Sequence, residues 1–236
     1  MRLDATPIFA HAVNGREELA RFLLGPADVA EGDVSWGTLR GDPDHPRPIM
    51  AHPPDDQSDL SFDAWVGAAK MHGHSLKVDL KSRRVLKASR AILLAHGIEA
   101  NRLIVNADVV QGPGGPAPQM SASDLGPFRS TFPEAVLSPG ATTRHGGGAY
   151  TAAHVRALLE AVDTLGAPIT VPLRAEFVLS DPSVLDAFVA REIHLTIWND
   201  PSSFVAGADD FAHFRRILPT AYIDLQGANG AQIHPP

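Results

Sequence analysis

The chain has 236 residues, enough for one large α/β domain with a substantial buried core. With 27 acidic against 20 basic side chains and a net charge of -7, it has no basic stripe for sequence-independent phosphate neutralisation, so no nucleic-acid partner is expected. Cysteine is absent, which excludes disulfides and thiolate chemistry and leaves oxygen or imidazole to hold any metal.

The opening M-R-L-D-A-T-P lacks the apolar run of a secretion signal, and no stretch reaches transmembrane length. A cytoplasmic protein is the expectation. Short apolar runs recur along the chain and predict eight strands, at 7–11, 29–36, 75–81, 102–110, 135–139, 169–178, 193–199 and 220–225. Amphipathic stretches lie between them. R-E-E-L-A-R-F-L-L follows the first strand, and L-S-F-D-A-W-V-G-A-A-K-M-H-G precedes the third, with Ser61 or Asp63 able to cap it. V-L-K-A-S-R-A-I-L-L-A-H-G ends in a glycine stop, and three further helical stretches begin near Tyr150, Pro182 and Asp209.

Strand–helix alternation with near-continuous apolar strands implies a parallel sheet covered by helices. Eight strands at this length predict a single (β/α)8 TIM barrel spanning residues 1–236. No G-x-G-x-x-G follows the first strand, which weakens a dinucleotide-binding alternative. One extra apolar piece, P-I-M-A-H-P-P at 48–54, is expected to make an excursion over the barrel mouth. The Gly/Pro-rich loops Q-G-P-G-G-P-A-P and P-G-A-T-T-R-H-G-G-G follow strands, which in a barrel puts them on the catalytic face.

Polar residues gather at the C-terminal ends of these strands. In A-E-G-D-V, strand alternation points Glu31 and Asp33 to one face, where two anions repel unless a cation or proton lies between them. Lys77, Asp79 and Lys81 share one parity in the next strand, so Asp79 can join the acidic pair. Three carboxylates of this kind suit one hard divalent cation, Mg2+ or Ca2+, with water or substrate completing its shell. Their alternative is an ion pair with Lys77 or Lys81. His11 and His52 beside such a site provide what phosphoester cleavage needs: one imidazole takes a proton from the attacking oxygen and the other gives one to the leaving oxygen.

The series F-A-H-A-V-N, A-E-G-D-V, M-A-H-P-P, K-V-D-L-K, V-N-A-D, L-S-P-G-A-T-T and L-T-I-W-N resembles the menorin family of barrel proteins over nearly the whole chain. Its early part, H-x-V-N, then E-x-D, then H, then D-x-K, also resembles the wider phospholipase-C-like phosphodiesterases, which include glycerophosphodiester phosphodiesterases and spider-venom phospholipases D. The resemblance implies a metal held by Glu31, Asp33 and Asp79, His11 and His52 as the acid/base pair, and Lys81 as a catalytic contact to phosphate. Trp198 falls where the venom enzymes carry an aromatic residue near the substrate head group. His52 departs from the pattern in being followed by Pro-Pro, where an acidic residue or glycine is more usual.

The expected activity is therefore hydrolysis or cyclising cleavage of a small or lipid-derived phosphodiester of the glycerophosphodiester or lysophospholipid type. Candidate substrate contacts are Asn14, Lys77, Asn106, Asp108, Arg174, Glu176, Trp198 and Asn199, with a supporting polar network or, for Lys77, an internal ion-pair ladder as the competing role. Thr142, Thr143, Arg144 and His145, before three glycines, either cradle a phosphate or only form a loop. His72, His74 and His96 are read as structural. Two other functions fit the residues: a non-catalytic barrel that keeps the metal site and binds a ligand or protein, and a Schiff-base lyase built on Lys81.

Overall fold

The structure is a computed structural model that describes residues 7–144 and 146–226. The contacts group the chain into two compact units. The first holds Pro7–Ala107 and Asp124–Leu137, and the second Asp108–Ser123 and the described residues from Ser138 onward.

In the first unit, β1 (Phe9–Ala10) leads through α1 (Arg16–Leu24) to the long β2 (Val29–Leu39). The chain returns along β2 as β3 (Asp42–Met50), adds β4 (Gln57–Ser58), and enters α2 (Phe62–Met71) and β5 (Ser75–Leu80). Then come α3 (Leu86–Ala95), β6 (Leu103–Gln111), α4 (Gly126–Thr131) and β7 (Val136–Thr142), with β6 and β7 running on into the second unit. The hydrogen-bonded order is β1-β2-β5-β6-β7, with β3 and β4 also on β2. The pairs β1/β2, β2/β5 and β5/β6 are parallel. The second unit continues with α5 (Ala152–Leu165), β8 (Thr170–Arg174), α6 (Ala175–Ser180), α7 (Asp186–Val189), β9 (His194–Trp198), α8 (Ala208–Ile217) and β10 (Tyr222–Asp224). There β8, β9 and β10 form a parallel sheet with β9 at the centre.

All eight predicted strands are present, as β1, β2, β5, β6, β7, β8, β9 and β10. The chain is a mixed α/β protein with parallel sheet. Helix ends follow local chemistry: Ser61 Oγ accepts from the Ala64 N–H at 3.1 Å to start α2, and Thr151 with His154 forms a capping box on α5. Gly97 and Gly166 take positive φ of 60° and 67° just past α3 and α5. Among the described residues no helix is long and apolar enough to cross a membrane.

Two expectations are corrected. The 169–178 run does not stay extended: β8 stops at Arg174 and Ala175–Ser180 is helical, so Glu176 lies in the first turn of α6. The 48–54 excursion is the end of a β-hairpin, in which β3 runs antiparallel to β2 with Val34 opposite Met50 and Trp36 opposite Pro48. Gly41, at φ 90°, makes its turn. Prolines 43, 46 and 48 suit a strand laid on a sheet margin, where missing donors are tolerated.

The core of the first unit lies under the face of β2 opposite its carboxylates. Trp65, Phe62 and Met50 are fully buried there, each such side chain contributing about 1.5–3 kcal/mol. Gly32 is a close approach between β2 and this core: a Cβ on it would strike Met50 Cε and lie 3.2 Å from the Val13 carbonyl oxygen and 3.3 Å from Trp65 Cζ2. Hence the glycine between the two acids. Gly32→Ala is expected to destabilise by about 1–3 kcal/mol through overpacking. Gly126→Ala, whose Cβ meets nothing within 4 Å beyond its chain neighbours but which precedes Pro127 in the first turn of α4, should stay within about 1 kcal/mol of wild type, both read by urea unfolding.

Candidate metal and acid/base site

Parallel register builds the acidic cluster. Asp33 on β2 stands opposite Asp79 on β5, which stands opposite Asn106 on β6. One row earlier, Glu31 is opposite Lys77 and Lys77 is opposite Ile104. Register partners point the same way, so one carboxylate oxygen each from Glu31, Asp33 and Asp79 comes within 4.8 Å of the others. Glu31 and Asp33 are buried, and Asp79 partly so.

Backbone loops grip these acids. The Ala12 N–H donates to Glu31 Oε2 at 2.8 Å and the Val13 N–H to the Glu31 carbonyl at 2.8 Å. Ala12 takes a positive φ of 54°, a conformation a non-glycine residue adopts only when its surroundings impose it. This turn puts His11 Nδ1 3.6 Å from Glu31 Oε2. Asn14 is locked on Asp33: its Nδ2 donates to Asp33 Oδ2 at 2.7 Å, and its Oδ1 accepts from the Asp33 N–H at 2.8 Å. Both ends of that amide are engaged, so Asn14 positions the carboxylate.

The hairpin delivers the second histidine. The Ala51 N–H donates to the Asp33 carbonyl at 3.0 Å, and Ser35 Oγ, buried, donates to the Ala51 carbonyl at 2.7 Å. The next residue is His52, exposed, whose Nδ1 lies 2.6 Å from the Pro53 carbonyl. A carbonyl only accepts, so Nδ1 carries a proton there and Nε2 remains for exchange. Lys81 Nζ lies 2.6 Å from Asp33 Oδ1 and 2.6 Å from Asp79 Oδ2. Lys77 is buried, with its ammonium 5.6 Å from the Phe9 ring centroid.

These surroundings push the two β2 acids in opposite directions. Burial raises the Glu31 carboxyl, and the nearby Asp33 and Asp79 charges add to that against the opposing pull of His11 and Lys77. Burial also acts on Asp33, but the Lys81 ammonium, the Asn14 hydrogen bond and His52 outweigh it and hold Asp33 below its ordinary 3.8.

In the second unit several of the remaining candidates gather around Arg174. That guanidinium is buried and bonds Glu176, Ser203, Thr143 Oγ1 at 3.3 Å and Asp200 Oδ2 at 3.3 Å. It also lies over Trp198, 5.4 Å from the ring centroid. The Arg174 N–H donates to the Tyr150 hydroxyl at 3.2 Å, and burial pushes that phenol far up, with the nearby Asp108 charge acting in the same sense. Asn199 is fully buried and its amide bonds the Phe204 carbonyl, the Gln226 carbonyl and the Gln226 N–H, so it closes a loop. Thr142 Oγ1 donates to the Pro116 carbonyl at 2.5 Å and Arg144 is exposed; His145 lies outside the described residues. His74 packs on Phe22 at 4.4 Å between ring centroids, and His96 Nε2 pairs with Asp63 at 3.0 Å. Ser35, Tyr150, Asp200 and Ser203 were not singled out by sequence, since isolated hydroxyls and acids in loops carry no periodic signal.

The profile of the Menorin N-terminal domain matches residues 4–227. The chain belongs to the menorin family. Among curated proteins, this menorin domain is 30% identical over 200 residues to human Protein FAM151B, covering 80% of the chain and 70% of that protein. Among solved structures it aligns with Burkholderia cenocepacia dihydropteroate synthase at 14% identity and a TM-score of 0.39, covering 91% and 92% of the two chains, too remote to bear on fold detail or chemistry.

The opposed shifts give a signed prediction for the menorin chain kept in EDTA. Asp33, lowered, contributes stability that is complete above about pH 4 and is lost as pH falls through its depressed value. Glu31, raised above its ordinary 4.5, contributes stability that is present below 4.5 and lost as pH rises through its elevated value. Thermal midpoints against pH should show Asp33→Asn flatter than wild type below about pH 4, and Glu31→Gln gaining on wild type as pH rises above about 4.5.

Proposed function

We propose that this menorin domain is a divalent-metal-dependent phosphodiesterase on a closed (β/α)8 barrel of the phospholipase-C-like type, acting on a small or lipid-derived phosphodiester. The observation that carries the reading is the convergence of three carboxylates from two adjacent parallel strands with a histidine-bearing loop fixed to each of Glu31 and Asp33. Eight strands in the expected order, paired in parallel across β1-β2-β5-β6 and across β8-β9-β10, support the barrel.

The donors fit a hard cation. All are oxygens, and their atoms lie within 4.8 Å of one another. Mg2+ or Ca2+ held there by Glu31, Asp33 and Asp79 would supply electrostatic stabilisation of the phosphoryl oxygens. The chain's own residues move the protons. His11 is oriented by Glu31, and His52 presents Nε2 because its other nitrogen is tied to Pro53. One imidazole accepts the proton of the attacking oxygen, from water or a substrate hydroxyl, while the other protonates the leaving oxygen.

One observation favours a second reading, a binder without turnover: Lys81 pairs with both Asp33 and Asp79 and offsets one of their two charges. The same pairing argues against the Schiff-base lyase, since an ammonium held between carboxylates has no lone pair for a carbonyl.

Glycerophosphodiesters and lysophospholipids incubated with Mg2+ or Ca2+ test the assignment. Turnover by wild type is expected, reduced about 10²–10⁴-fold in His11→Ala and in His52→Ala. Absence of turnover on every substrate, with wild type matching His11→Ala, rejects the phosphodiesterase in favour of the binder.

A further inference from the structure

Lys81 follows the last residue of β5, and its N–H donates to the Val34 carbonyl at 3.1 Å, so its backbone is anchored between the two strands that carry the acids. Its ammonium bridges Asp33 Oδ1 and Asp79 Oδ2 at 2.6 Å each, with 18% of the side chain exposed. The two carboxylates are direct register partners. Like charges so placed destabilise a sheet unless compensated, and the compensating charge here comes from two residues beyond Asp79. Lysine suits this role: its ammonium is a compact charge on a flexible four-carbon stem, able to leave without disturbing the strand, unlike a planar guanidinium fixed by several bonds.

The carboxylates that Lys81 bridges are two of the three that would hold a divalent cation. An ion coordinated by them meets the ammonium's charge at close range, so the two cations compete for one space. We propose that Lys81 is a tethered counter-ion that holds Asp33 and Asp79 together in the metal-free chain and is displaced from them when a divalent cation binds. This rests on reading the three acids as a cation site, and it adds how the site is kept folded while empty and how its affinity is set. The competing ammonium weakens cation binding, and in return the fold does not depend on metal. A zinc-finger-like collapse on chelation is therefore not expected.

Calorimetric titration of Mg2+ and Ca2+ into wild type, Lys81→Met and Lys81→Gln, with unfolding followed in EDTA, tests the exchange. The variants should bind cation about tenfold or more tightly than wild type. Their unfolding midpoints should drop below wild type in EDTA and recover with metal, while the wild-type midpoint shifts less between EDTA and metal than theirs. The double variant Asp79→Asn/Lys81→Met, which removes both charges, should regain most of the EDTA stability. Cation uptake by wild type with equal or weaker uptake by both Lys81 variants overturns the exchange and leaves the metal reading standing. Uptake by none of the proteins overturns both. Lys81 variants that remain unfolded with metal present, while the double variant folds, also overturn it.

Discussion

Two carboxylates facing each other across a parallel strand pair impose the central constraint on this molecule. Asp33 and Asp79 are register partners, so backbone hydrogen bonding itself forces their side chains onto one face, and Glu31 joins them from the preceding row. Two unit charges about 4 Å apart repel by roughly 4 kcal/mol at an effective dielectric near 20, which is a large fraction of a domain's net stability. Slipping the register by one residue would relieve the repulsion but would turn the apolar face of β2 outward. The core therefore holds the charges together, and every cationic or hydrogen-bonding group around them answers to that.

The surroundings answer unequally. Asp33 collects Lys81, the Asn14 amide and the field of His52, and remains ionised below its usual range. Glu31 is buried deeper in the cluster, and its partners, His11, Lys77 and the Ala12 N–H, do not offset desolvation. Adjacent carboxylates whose environments drive them apart are a recurring arrangement at sites that handle protons and cations, because one group then stays charged while the other responds to what binds. The asymmetry arises from ordinary placement: the ammonium that could have been shared reaches Asp33 and Asp79, one row nearer the strand ends than Glu31.

Much of this was legible in the sequence, and the exceptions have physical causes. The eight strands showed as short apolar runs because most of their residues are buried. Helices announced themselves through Ser61, Thr151, Gly97 and Gly166. Alternation alone placed Glu31 with Asp33. It could not say which lysine would meet them, since Lys77 and Lys81 share a parity with Asp79 and only register separates the rows. Three prolines hid β3, because strand signals are defined for interior strands and this one lies along a margin. The run after Arg174 looked extended for its Phe-Val pair, but its Ala-Glu start and Leu permit a helix, and short apolar runs do not distinguish the two. Alternation also gave no sign that the Asn14 and Asn199 amides bond within the chain, to Asp33 and to the Gln226 loop, since register and loop closure set those partners.

The hairpin also explains how a histidine in an exposed Pro-Pro loop is held in a fixed place beside Asp33. Loops are imprecise supports, and a misplacement of about 1 Å at a reacting group can cost on the order of a hundredfold in rate. Here the imprecision is removed one residue before His52, where Ala51 is bonded through its N–H to the Asp33 carbonyl and through its own carbonyl to Ser35. His11 is held in the same manner from the other side, through Ala12 and Val13 on Glu31. Residues 31 and 33 thus use backbone and side chain together: the carboxylates form the cluster, and their peptide groups register both histidine loops against it. A shift of β2 would move the acids and both imidazoles together, so their mutual geometry depends on one strand and on the close packing beneath Gly32 that fixes it.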